Sequence, residues 1–116
     1  MKDYKINFKL DDKEYSIVFN LNVMEAIQEE YGTVQEWGAL TDGKSGEVNA
    51  KALKFGFMAM MNEAIEIENE ENGTNKQLFT LSQVGRIITR AGIEKSAETL
   101  NNAVIEATKE DNPKNA

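Results

Sequence analysis

Residues 38–45, Gly-Ala-Leu-Thr-Asp-Gly-Lys-Ser, satisfy the spacing G-x-x-x-x-G-K-[ST]. In a phosphate-binding loop with that spacing, backbone N–H groups and the lysine surround nucleotide phosphates while the final hydroxyl holds magnesium. That chemistry needs a strand of a parallel sheet feeding the loop and a helix leaving it. Here TVQEW precedes Gly38 and reads as helical, Gly46 follows Ser45, and no later apolar strand ends in Asp to complete a magnesium site. The expectation is a glycine-bearing surface loop without a bound nucleotide. Small nucleotide-binding chemistry through Lys44 is the rival reading.

Other chemistry is thinly represented. The chain has no Cys and no His, so thiolate nucleophiles, disulfides and the side chain best suited to proton transfer near neutral pH are missing. Glu66, Glu68, Glu70 and Glu71 cluster, but without the spacing of a calcium loop. They read as solvated charge at a helix end. No carboxylate pair stands out as general acid and base. Catalytic, cofactor and metal residues are therefore expected to be absent, and the chain reads as a non-enzyme. A net charge of −7 with scattered Lys and Arg repels phosphate backbones and argues against nucleic acid. The start, MKDYKINFKL, lacks the apolar stretch of a signal peptide. The longest mostly apolar run, residues 55–61, is far too short for a membrane span. A cytoplasmic protein that does not enter membranes is expected.

The elements that must carry any site follow from periodicity. Tyr4, Ile6, Phe8 and Leu10 alternate with polar residues, Asp11, Asp12 and Lys13 make a turn, and Tyr15, Ile17 and Phe19 repeat the alternation. That predicts a hairpin with one buried face. Its outer edges stay open, a route to self-association. A helix follows at once, capped by Asn20 or Asn22 and ended by Gly32, with Val23, Met24, Ile27 and Tyr31 on one face. Thr33 caps a short second helix, and residues 40–48 form a loop. Asn49 caps a long helix to about Glu68. Thr80 or Ser82 caps another with Leu81, Val84, Ile87, Ile88 and Ala91 along one side, ended by Gly92. The last helix runs from about Ile93 to Lys109, with Ala97, Leu100, Val104 and Ala107 inward. The prediction is one α+β domain over residues 1–109, an N-terminal two-stranded antiparallel hairpin packed on about four helices, with 110–116 as a polar, frayed tail.

The long helix is apolar almost all round. Leu53, Phe57, Met60, Ala64 and Ile67 form one stripe, while Phe55, Met58, Ala59 and Met61 fill much of the rest. Such a helix is normally buried on several sides. The sharper expectation is a surplus face that meets a partner, for which the flexible Met thioether is suited. The candidate partner-binding residues are Trp37, Phe55, Met58, Ala59 and Met61, with Phe55 and Met58 outward and Phe57 and Met60 in the core. For Trp37, on a short amphipathic helix, a core anchor is the first reading and a partner contact the second.

Two phrases carry a family resemblance: F-N-L-N-x-M-E-A-I-x-E-x-Y-G at the strand-to-helix junction, residues 19–32, and T-L-x-x-V-G-x-I-I at 80–88. With the order of elements between residues 4 and 108, the chain resembles the tail assembly chaperones of long-tailed bacteriophages and prophages. The resemblance implies a non-enzymatic protein of the bacterial host cytoplasm, absent from the mature virion. It would bind the tape measure protein, keep it soluble and help recruit tail tube subunits. It also implies a longer form made by ribosomal slippage, for which Pro113, Lys114 and Asn115 could be written CCA-AAA-AAC. An unrelated module that oligomerises through the hairpin edge is the third reading.

Overall fold

The computed structural model describes residues 3–10, 12–44 and 46–109. Two strands, β1 (Tyr4–Leu10) and β2 (Lys13–Phe19), form an antiparallel hairpin in the register Tyr4↔Phe19 to Leu10↔Lys13. Lys13, expected in the turn, already pairs, and Asp11 lies outside the described residues. Five helices follow: α1 (Leu21–Tyr31), α2 (Val34–Thr41), α3 (Ala50–Asn72), α4 (Leu81–Ala91) and α5 (Ile93–Lys109). The α+β arrangement, a hairpin packed on helices that include the short α2 capped by Thr33, is as the periodicity predicts.

Local chemistry sets the boundaries. The Asn20 side chain, not that of Asn22, accepts a hydrogen bond from Val23 N–H at the start of α1. Thr33 and Glu36 make a reciprocal capping box on α2, and Thr80 and Gln83 make another on α4, each satisfying two otherwise free N–H groups. α3 continues four residues past the expected end at Glu68, through helix-favouring Glu70 and Glu71, and stops where Gly73 takes the left-handed conformation (φ 65°).

α3 is the centre of the domain. β2, α1, α2, α4 and α5 all contact it, which accounts for its nearly all-round apolar surface. The core joins Ile17 and Phe19 of β2, Val23 and Ile27 of α1, Trp37, Leu53, Phe57, Met60 and Met61 of α2 and α3, Val84, Ile87 and Ile88 of α4, and Leu100 and Ala103 of α5. On α5 the inward positions are Ala97, Leu100, Ala103 and Ala107, with Val104 only half-buried. Leu81, expected on the inner side of α4, is exposed at the first turn. No helix among the described residues is long and apolar enough to cross a membrane. Residues 110–116, and with them the polar tail and the possible slippage site, lie outside the described residues.

Candidate functional site

The stretch that spells a phosphate loop is built differently. Gly38, Ala39, Leu40 and Thr41 are the second half of α2, where a phosphate loop needs irregular backbone. Asp42 N–H is already bonded to Gly38 C=O and Asn49 N–H to Leu40 C=O (2.9 and 2.8 Å). The Asp42 carboxylate accepts from Lys44 N–H at 2.9 Å, a local turn that places an acid where phosphate would sit. The hairpin is the sheet of the described residues, and it ends at Phe19, 19 positions before Gly38. Ser45 lies outside the described residues. No group of three or more acidic residues that could hold a metal ion occurs among those described.

Two of the five candidate partner residues are removed from the surface. Trp37 is fully buried, its indole N–H donating to Ala52 C=O at 3.0 Å. Its ring lies directly over Gly56, where a Cβ would collide with Cζ2 and Cε2. Gly56, which breaks the apolar run of α3, is thus the notch that lets α2 close on α3. Met61 is 1% exposed. Both are corrected here to core residues: side chains this large and apolar are drawn into the only volume that takes them. Phe55, Met58 and Ala59 are half-buried and packed against the core. Phe55 meets Tyr31 edge-on at 5.7 Å. Phe57 and Met60 are buried, as expected.

The face of α3 that was to be surplus is largely covered by the chain itself. α4 lies over it where Gly85 approaches the Lys54 stem. Further along, residues 74–80 run back over α3 as an extended strap. Asn62 Oδ1 accepts from Phe79 N–H at 2.8 Å while its Nδ2 donates to Phe79 C=O at 3.1 Å. Asn69 repeats the arrangement on Lys76, with both distances 3.0 Å. The spacing is geometrically matched. Asn62 and Asn69 are two helical turns apart, about 10.5 Å, and three extended residues from Lys76 to Phe79 cover about 10 Å. These two amides are the residues that sequence reasoning missed. Their signal was two Asn at a seven-residue interval on an otherwise apolar helix face.

Between β2, α3 and the strap lies a cleft of about 330 Å³. Met61, Ala64 and Ile65 form its floor, and Tyr15 and Phe79, with ring centroids 6.0 Å apart, stand at its side. Lys76 bridges to Glu68 at 2.6 Å on the rim. Leu78, in the strap, and Leu81, at the start of α4, are two of the large apolar side chains left exposed. The Tyr31 hydroxyl, at the end of α1, is buried without a hydrogen-bond partner among the described residues. Burial, and then the nearby Glu30 carboxylate, raise its pKa above the usual tyrosine range. Compared with protein-family models, with curated proteins and with solved structures, the chain matches none.

Proposed function

We propose that this protein is a non-enzymatic tail assembly chaperone, binding a tape measure protein before the tail tube encloses it and helping to recruit tube subunits. Two kinds of support converge. The resemblance rests on phrases that fall on the starts of α1 and α4, the two junctions at which the chain enters and leaves the region around α3. The observation that carries the reading beyond resemblance is the cleft with its apolar floor of Met61, Ala64 and Ile65, with Leu78 exposed on the strap that bounds it. It is a surface suited to an apolar stretch of another polypeptide rather than to a reacting small molecule. A soluble, acidic domain can cover apolar stripes reversibly, since exposed patches of that kind otherwise associate. In the phosphate-loop stretch the backbone N–H groups of Asp42 and Lys44 are spent within the protein and Asp42 occupies the turn, so the nucleotide reading draws no support from the geometry.

The test is co-expression with a tape measure protein of a long-tailed phage. The proposal expects that protein to stay in the supernatant and to co-purify only when this chain is present. Equal insolubility with and without it would contradict the reading. Saturable ATP–magnesium heat in calorimetry that disappears in Lys44→Ala would favour the nucleotide-binding rival.

A further inference from the structure

The cleft lies at a strand edge. Four consecutive β2 residues, 13–16, border it, and no described β1 residue does. Successive strand residues point to opposite faces. A cavity that touches both sets therefore sits beside the strand, on the side away from β1. β2 exchanges its ladder bonds with β1. Among the described residues no backbone hydrogen bond joins its other edge to any element. The strap across the cleft is similar. Lys76 and Phe79 give their backbone groups to Asn69 and Asn62, while Gln77 and Leu78 between them have no such bond. Two backbones with unused donors and acceptors thus face each other over an apolar floor.

We propose that this cleft binds an extended segment of a partner polypeptide by strand addition to the free edge of β2. The segment is uncharged where it lies in the cleft and carries Lys or Arg next to it. Strand addition draws affinity from main-chain hydrogen bonds and selectivity from pockets for alternate side chains. Here Met61, Ala64 and Ile65 take the inward side chain. The charges on the walls balance, Lys13 and Lys76 against Glu14 and Glu68, so a charge inside gains nothing. Past the cleft, the last turn of α3 carries Glu70 and Glu71 and no basic residue. The carbonyl end of the helix adds further negative potential, and a flanking cation is attracted there. The proposal rests on the reading that the protein works by binding another polypeptide, and it names where and in what conformation.

The experiment uses the full chain and a labelled seven-residue peptide of alternating valine and threonine preceded by two lysines, followed by fluorescence anisotropy and by backbone amide shifts in NMR. The expected result is saturable binding with shifts concentrated in residues 13–16 and 77–78. Binding should weaken by about tenfold when the lysines become glutamates, and again when the central peptide nitrogens are methylated, since each change removes of order 1 kcal/mol. Ile65→Lys, at a half-buried floor position, should weaken binding with a near-native melt, and the two peptide changes decide the matter even if that variant folds poorly. No saturable binding, indifference to methylation, or shifts confined to β1 would overturn the proposal. If a tape measure protein co-purifies while the β2 amides stay unmoved, this site is wrong and the chaperone reading stands. If neither binds, both fall.

Discussion

The two halves of α3 are built by different means. In its first half the helix is closed by shape: Gly56 receives the Trp37 ring, the indole N–H finds Ala52 C=O, and Leu53 and Phe57 are buried. In its second half it is closed by polar clamps, Asn62 and Asn69 holding an exposed strap beside a cleft that protein atoms do not fill. Interdigitated apolar surfaces set the global stability, whereas a strap on a few half-exposed hydrogen bonds belongs to the low-stability end of the molecule. Binding surfaces are drawn from that end. One helix therefore serves as the fold's anchor over its first turns and as the floor of a candidate docking site over its last ones.

The difference can be broken at graded cost. The largest effect is expected in the first half. Trp37→Ala and Phe57→Ala should each cost about 3–5 kcal/mol in denaturant melts, and the tryptophan change also removes the indole hydrogen bond to Ala52 C=O. Phe55→Ala, on the half-buried side against Tyr31, should cost less than half as much. Equal losses for Phe55 and Phe57 would show that the whole circumference of α3 is core. Gly56→Ala comes next. Helix propensity alone would stabilise it by roughly 0.5–1 kcal/mol, but the added methyl meets the Trp37 ring, and overpacking typically costs about 1–3 kcal/mol. The expected sign is destabilising. A rise in Tm would mean that the α2–α3 approach is looser than described.

In the second half the effects should be smaller and local. Asn62→Ala removes two part-buried hydrogen bonds, and Asn69→Ala removes two exposed ones and a part-buried one from the Thr74 hydroxyl, each bond being worth about 0.5–1.5 kcal/mol. Both variants should speed amide exchange in residues 74–80 while leaving that of α2 unchanged. The smallest effect belongs to Tyr31→Phe, which discards a buried hydroxyl without a partner. Near-neutral stability is expected at pH 7. The raised folded pKa of Tyr31 means that its contribution is intact below the unfolded value near 10 and is lost as pH climbs through the folded value. The Phe variant should therefore lose less stability on alkaline titration than the parent.

What could be read from the sequence was what local rules govern. Asn20, Thr33, Asn49 and Thr80 announce helix starts because a cap bonds only two or three residues ahead, and the alternation in β1 and β2 announces the hairpin. Trp37 and Met61 were misplaced as partner candidates because periodicity gives a face, not what covers it. α3 has neighbours all round, supplied by elements far along the chain. Gly56 was legible as an interruption but not as a notch, since its reason is a ring 19 positions earlier. The strap stayed hidden for the same reason: each clamp joins a helical Asn to backbone 7 or 17 residues away, beyond any capping rule. The phosphate-loop spelling shows the reverse error, a local pattern without the strand and helix that give it meaning.

The most direct test of the account is hydrogen–deuterium exchange of the purified chain alone and in complex with a tape measure protein. The account predicts new protection at residues 13–16 of β2 and 77–78 of the strap, with α2 and the first half of α3 exchanging as slowly as before. New protection centred on residues 42–49, or a complex that forms with no change in β2, would contradict it.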